Sequence, residues 1–376
     1  VILSYKYRIE PNKTQVAALS AMLADFCQLY NAALEHRIGA FRRGVSVRSH
    51  EQITALPEIR RDLAETHGRW SATAQQQVLR RLDKAYSAFF GRMKRGAKAG
   101  FPRFRSHDRY HAADFRVGDG LNIRKSGKLR FVGVPGEVKV RWHRALPSAP
   151  KSAILSRSAG RWYVIFHVEV AEQYGPPRPE SAGIDLGLTA LAALSTGEMI
   201  ARPGITKRNA RKLRRLQRAL ARCKRGSRVR RQRKAAVAKV QAHIAAARRD
   251  YSHKVSRDLV RRFGRIAFED LNIKGLAAGM LAKHINDAAW GQIVSFTSYK
   301  AENAGGIVEK VDPRRTSQAC PDCGAIAKKT LAERMHRCPC GCVMPRDTAS
   351  AIVVHVRAFG FRPGMGLGSL IQRVAA

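Results

Sequence analysis

Thirty-four residues, Gln318 to Ala351, constrain this chain more than any other stretch. They read QACPDCGAIAKKTLAERMHRCPCGCVMPRDTASA and hold five of the seven cysteines. Cys320 and Cys323 form a C-x-x-C-G knuckle closed by Gly324, and Cys338, Cys340 and Cys342 follow after a hairpin-sized insert. Two cysteine knuckles on tight turns, so separated, are the spacing of a four-thiolate zinc ribbon. Glycine follows Cys323 and Cys340 alike, so the expected zinc ligands are Cys320, Cys323, Cys338 and Cys340. The second knuckle has one residue between its thiolates where two are usual, which leaves Cys342 as a neighbour or a substitute ligand. Free or disulfide-forming thiols are the competing reading. Nothing marks the chain as secreted, and tight C-x-C pairs suit a metal better than a disulfide. Four sulfurs leave no position open for water, so the zinc would be structural. The chemistry must lie elsewhere, and the ribbon ends beside an aspartate, Asp347, at the start of a predicted helix.

Charge is the strongest global constraint. Lys and Arg number 70 against 28 acids, a net +42 over 376 residues. Such a chain repels itself unless a polyanion neutralises it, and arginine suits bidentate phosphate contacts. Nucleic acid is therefore the expected partner. No apolar run approaches the ~20 residues of a membrane span, and no lipid-anchor motif is present, so no membrane partner is expected. The opening VILSYKYRIEP reads as a strand and not as a signal peptide. Clustered cysteines argue for a reducing compartment, so the expected location is cytoplasmic and associated with the nucleoid.

Along the chain, ILSYKYRI alternates as a half-buried strand does. Pro11-Asn12 ends it, and Thr14 is the expected cap of a helix running to Leu34. A second helix is predicted from about Ser71 to Met93, with Val78, Leu82, Ala85 and Phe89 on one face and Gln75, Gln76, Arg80 and Arg81 on others. A solvated face is the commoner role for such residues, but Gln76 and Arg80 are candidates for contacting nucleic acid. The loop KRGAKAGFPRFR interleaves Lys94, Arg95, Arg103 and Arg105 with Phe101 and Phe104, so phosphate contact and stacking are available there. The same two rings could instead tuck into a core. From Ala113 to Val170 short strands with turn residues between them predict a small antiparallel barrel, joined by the strand at Val1. Gly175 to Pro179 is a linker. Ile205–Asp250 carries 18 Lys or Arg and one acid. Leu213, Leu216 and Leu220, then Val237, Val240 and Ile244, predict a basic helical hairpin broken at Lys224–Ser227. Arg214, Arg215 and Arg218 lie on its exterior. A further helix is expected to end at Asp258–Phe263, and Gly360–Ala376 reads as a tail.

Three acids stand out. Asp185 lies inside the apolar strand of SAGIDLGL, where an acid is costly unless it is paired or binds a cation. Glu269 closes the strand RIAFE, and Asp347 enters the last helix. Each acid alone could be a surface turn or a cap. Three strands, helices, a strand and a closing helix are the element order of a ribonuclease H-like fold, in which acids so placed converge. Converged carboxylates need a cation, and Mg²⁺ or Mn²⁺ offers hard-ligand chemistry suited to phosphodiester hydrolysis.

At these residues the chain resembles a known family. GIDLGL, FEDLNI, TSQACPDCG with RCPCG, and PRDTASA resemble the TnpB family, the compact RNA-guided nucleases of bacterial insertion sequences related to type V CRISPR effectors. KYRIEPNKTQ, LDKAYSAFFGRMKRGAKAGFPRFR and DAAWGQIVSFTSYKAENAGG extend the resemblance over nearly the whole chain. It implies a multidomain α+β protein. A β-barrel wedge domain (1–12 and 100–177) would be interrupted by a helical recognition domain (13–99). A RuvC-like nuclease domain (178–315 and 343–376) would carry the zinc-ribbon insert (316–342). It implies Asp185, Glu269 and Asp347 as catalytic, metal-holding acids, Cys320, Cys323, Cys338 and Cys340 as zinc ligands, and Gln76 on the helix near a target-adjacent motif. It implies an omega-type guide RNA, one protein per RNA, and double-stranded target DNA, with base pairing reading the sequence. The family commonly carries Asn where this chain has Ala349, two residues after Asp347. A cleavage-deficient RNA-guided binding protein and a guide-free nuclease of the same fold are the alternatives.

Overall fold

The computed structural model describes residues 1–171, 178–280, 282–330 and 332–360. The chain divides into two units, Val1–Ala171 and Glu172–Ala376. In the first, β1 (Ile2–Glu10) leads into α1 (Lys13–Arg42), α2 (Ser49–Thr54), α3 (Leu56–Asp62) and α4 (Ala72–Lys94). Then follow β2 (Ala112–Arg116), β3 (Leu121–Ile123), β4 (Leu129–Phe131), β5 (Lys139–Arg141), β6 (Ser152–Ser158) and β7 (Arg161–Glu169). The antiparallel order is β2-β6-β7-β1-β5, with β3 and β4 as a separate hairpin bridged to the segment before β5 at Leu129–Val138. The strand at Val1 does join the later strands: Ile2 pairs with Glu169 and Ile9 with Trp162. Helices and sheet share one core, in which Phe26 and Tyr30 of α1, Leu82 of α4 and Phe166 of β7 are all buried.

The cap of α1 differs from the expectation. Asn12, not Thr14, accepts the Gln15 N–H, and the Gln15 side chain accepts the Asn12 N–H in return. Only Asn12 has a partner three residues on that can close this reciprocal box. The helix also runs past Leu34 to Arg42.

The second unit opens with β8 (Ser181–Leu186), β9 (Ala192–Leu194) and β10 (Met199–Ile200). A basic helical pair follows, α5 (Ile205–Ala221) and α6 (Arg228–Arg262). The remaining elements are β11 (Arg265–Glu269), α7 (Ile273–Leu276), α8 (Ala282–Ala288), α9 (Trp290–Asn303), β12 (Ile307–Val311), the small hairpin β13 (Met335–Arg337) and β14 (Val343–Pro345), and α10 (Arg346–Phe359). The main sheet has the order β10-β9-β8-β11-β12, with β8, β11 and β12 parallel to one another. The hairpin breaks where expected: Ser227 accepts the Arg230 N–H to start α6, and the Arg230 guanidinium caps the carbonyls of Leu220 and Cys223. Its seam buries Val240 and Ile244 against Leu213 and Leu216. The separate helix expected to end at Phe263 is the far end of α6, since no glycine or proline interrupts the run from Asp250 to Asp258. Most of the Gly175–Pro179 linker, and the tail after Gly360, lie outside the described residues. Among the described residues, no helix is long and apolar enough to cross a membrane.

Candidate functional site

Strand register sets two of the acids side by side. Phe268 of β11 pairs with Ile184 of β8, so Glu269 and Asp185 follow at the next step of two parallel strands. Side chains alternate with period two, and both therefore leave the same face. They stand at the carboxyl ends of the strands, where open α/β sheets bind ligands.

The third acid arrives from α10, which packs on β8. Gly183 permits that packing: a Cβ there would lie 2.2 Å from the Ala351 carbonyl oxygen and 2.5 Å from the His355 nitrogen. Gly183 is also pinned from the other side, its N–H donating to Ser195 Oγ at 3.0 Å. His355, fully buried, bonds Ser181 Oγ through Nε2 at 2.7 Å. From this crossing, two residues up the strand is ~6.6 Å to Asp185. Four residues back along the helix is ~6 Å to Asp347. Asp347 sits in the first turn of α10, where the helix dipole favours a negative charge.

The electrostatics report the convergence. Burial first, then the charges of Glu269 and Asp347, push the Asp185 carboxyl up to about 7, against the pull of Arg346. Burial raises Glu269 as well, opposed by a hydrogen bond from Thr316 and by the charge of Arg357. Arg346 Nε lies 3.5 Å from Asp347 Oδ1. Arg357 donates to the carbonyls of Asp312 and Arg314 at 2.7 and 2.8 Å and so ties α10 to the segment after β12. Among the described residues, the three acids do not bring their oxygens within 4.8 Å of one another as the cysteines do their sulfurs. Thr316, Arg346, Arg357 and Gly183 were not singled out in the sequence. Arg346 had a local signal, as the neighbour of Asp347; Thr316 and Arg357 had none, because their roles depend on tertiary contact.

In the ribbon, the sulfurs of Cys320, Cys323, Cys338 and Cys340 lie within 4.8 Å of one another. Cys320 to Cys340 and Cys323 to Cys338 are each 3.6 Å apart. A tetrahedral ion with ~2.3 Å bonds to sulfur needs edges of roughly 3.8 Å, so the four thiols fit zinc. Burial opposes ionisation of Cys320, but hydrogen bonds from the backbone of Cys323 and Asp322 and from the side chains of His336 and Cys340 together bring the thiol down to about 5. Cys342 is buried and groups instead with Cys320 and His336. The short second knuckle is accommodated by Cys338, whose N–H donates to the Cys342 carbonyl at 3.0 Å.

The candidate nucleic-acid contacts divide. Arg80, Lys94, Arg95, Arg103, Arg105, Arg214, Arg215 and Arg218 are exposed, and Gln76 is half-buried. Two neighbours expected on exposed faces of α4 are structural. Gln75 is fully buried, donating to the His67 carbonyl and accepting from Arg60. Arg81 bonds the Ala112 carbonyl and Asp114, clamping α4 to β2. Both are satisfied inside the protein and are not available to a base edge. Phe101 and Phe104 remain about half exposed.

Comparison with known proteins agrees along the chain. Residues 165–279 match the OrfB_IS605 family, described as "Probable transposase", and residues 290–354 match the "Cas12f1-like, TNB domain". A "Putative RNA-guided DNA endonuclease" of Streptomyces pristinaespiralis is 33% identical over 362 residues, covering 93% of this chain and 87% of that protein. A "Putative RNA-guided DNA endonuclease InsQ" of Escherichia coli strain K12 is 27% identical over 356 residues, covering 89% and 87%. Among solved structures, a Cas12f1–sgRNA–target DNA complex superposes with a TM-score of 0.57 at 13% identity, over 91% of this chain and 82% of that one. At that identity the likeness concerns the fold alone.

Proposed function

We infer the function from one premise: the chain belongs to the TnpB family of RNA-guided DNA endonucleases. It is the RNA-guided DNA endonuclease of a transposable element, cutting double-stranded DNA beside a short target-adjacent motif. The observation that carries this reading is the convergence of Asp185, Glu269 and Asp347 from three distant segments onto one end of a parallel sheet. In this reading 1–12 and 100–177 are the wedge barrel and 13–99 the recognition helices. Residues 178–315 and 343–376 are the RuvC-like nuclease domain, and 316–342 the zinc ribbon.

The acids fit Mg²⁺ or Mn²⁺. All donors are hard oxygens, and Asp185 resists ionising beside its neighbours unless a cation is supplied. When bound, two such ions supply a nucleophilic water and stabilise the leaving oxygen of a phosphodiester. Asp185, whose carboxyl feels the charges of both Glu269 and Asp347, would hold the ions together with Asp347. Glu269 is held by the Thr316 hydroxyl on Oε1, which fixes its carboxylate plane for orienting water. The ribbon cysteines fit structural zinc and carry no step. The exposed arginines of α5 bind backbone phosphates of the guide RNA or its DNA.

The test is cleavage by the full chain purified with the RNA that accompanies it. A matched DNA should be cut only with that RNA and Mg²⁺, and Asp185→Ala should bind without cutting. The co-purified RNA, once sequenced, should be a discrete species. A cleavage-deficient binder is the second reading, favoured by Ala349, which is buried in α10 where the family commonly carries Asn. Wild-type protein that binds matched DNA but never cuts it would establish that reading. Cutting by RNA-free protein would instead establish the guide-free one.

A further inference from the structure

The first unit carries an apolar groove of about 700 Å³ between the end of α1, the loop after it, the end of α4 and Phe101. Its wall is a cluster of rings. Tyr86 and Phe90 are near-parallel at 6.3 Å, and Phe101 meets Tyr86 and Phe89 edge-on at 5.6 and 5.3 Å. Phe41 is 80% exposed, and Phe90, Met93 and Phe101 are about half exposed. A groove of this size is in the range of a specific ligand site, and apolar surface left bare to this degree marks an interaction site.

Charge selects the occupant. Arg37, Arg42 and Arg48 border the groove against one acid, Asp83. Arg37 is 93% buried, stacks on Tyr86 at 5.2 Å and bonds Gln52 and Asp83, yet its Nη2 has no hydrogen-bond partner among the described residues. Arg42 and Arg48 are exposed at the rim, so a ligand entering the groove meets positive charge. Rings for base faces and arginines for phosphates are the two halves of single-strand recognition. A second copy of a chain at +42 would be repelled from this border, whereas a polyanion is drawn to it.

We propose that this groove binds unpaired RNA bases, which stack on Tyr86, Phe90 and Phe101 while the bordering arginines hold the backbone. The choice of RNA rests on the reading above, in which RNA is the resident partner: a permanently bare ring cluster is covered by what stays bound, not by a target that comes and goes.

The experiment uses the full chain freed of RNA in high salt and a short synthetic single-stranded RNA carrying 5-iodouridine, with the matching DNA as a second arm. Photocrosslinks mapped by mass spectrometry should fall on the groove rings of the wild-type chain. Phe90→Ala with Phe101→Ala should weaken RNA binding about tenfold or more, while leaving the slope of affinity against salt unchanged because no phosphate contact is removed. Phe90→Tyr with Phe101→Tyr keeps the rings and should retain wild-type affinity. Crosslinks confined to other surfaces overturn the site, as does unchanged affinity in the alanine pair. Preferential crosslinking of the DNA arm overturns the assignment to RNA. A change in oligomeric state by light scattering in the alanine pair, without a change in RNA affinity, makes the groove an interface between copies and also overturns it. The oligonucleotide is synthetic, so absence of a natural guide RNA would refute the functional reading without touching this result.

Discussion

Asp185 is a carboxylate that the metal-free fold resists charging, and that resistance is measurable apart from catalysis. Its pKa is raised from the ordinary 3.8 to about 7. The unfolded chain therefore releases this proton near pH 4, while the folded chain keeps it until about 7. In that window the folded state binds more protons, so the residue removes stability as pH rises, up to about 4 kcal/mol at roughly 1.4 kcal/mol per tenfold change in proton affinity. Asp185→Asn should abolish cleavage and remove this cost. Without divalent metal, the variant should melt several degrees above wild type at pH 8, with the difference closing by pH 4. Thermal denaturation at the two pH values checks it; equal melting at pH 8 would mean the carboxyl is not held in this field. Magnesium should raise the wild-type melting temperature and leave the variant nearly unmoved. The sequence made this residue legible because an acid within an apolar strand has few innocuous explanations. Gln75 and Arg81 were misread for the opposite reason. Helical periodicity says which way a side chain leaves α4, and nothing about the His67 carbonyl or Asp114 waiting there.

Elements carry the site through two contacts that can be broken singly. Gly183→Ala places a methyl against backbone atoms of α10, which cannot rotate away. Overpacking of this kind costs about 1–3 kcal/mol. For a unit of this size that lowers the melting temperature by roughly 2–4 °C per kcal/mol. Because α10 carries Asp347, cleavage should fall about 100-fold, as for a misplacement near 1 Å, while RNA binding holds. Loss of stability with full activity would show that α10 does not position the site. The ribbon gives the second contact. Cys340→Ser should lose its zinc, whereas Cys342→Ser should keep one ion per chain, measured by elemental analysis after dialysis. Zinc lost only from the second variant would reassign the fourth ligand. Much at this scale was legible. Strand β11 falls on the expected RIAFE and the hairpin break on Lys224–Ser227, since both are bounded by glycine or by caps acting locally. Adjacency was not legible. That β8 lies beside β11, with Phe268 opposite Ile184, is fixed by packing between segments some eighty residues apart, and no local pattern encodes it.

At the scale of the whole molecule the question is where +42 is put to use. Helices α5 and α6 are the extreme case, since their seam is only a few apolar side chains wide and their exterior is almost wholly cationic. Isolated, such a pair is strained by like charges at neighbouring positions along each helix. Bound to a polyanion, the same charges release counterions, and affinity falls linearly with the logarithm of salt by about 0.7 per phosphate neutralised on a single strand. Arg214, Arg215 and Arg218 are exposed on consecutive turns of α5 and offer three such contacts. Replacing all three by alanine should flatten the slope for single-stranded RNA by about 2 and weaken binding most at low salt. Alanine is the better helix former, so α5 should survive the change. The helical signal by circular dichroism should therefore hold. An unchanged slope would place the RNA elsewhere and leave α5 a solvated basic face, its charge spent on solubility. A flattened slope with intact cleavage at saturating RNA and DNA would separate grip from chemistry: the arginines would set how tightly the polyanion is held at low salt, and the carboxylates would cut whatever is bound.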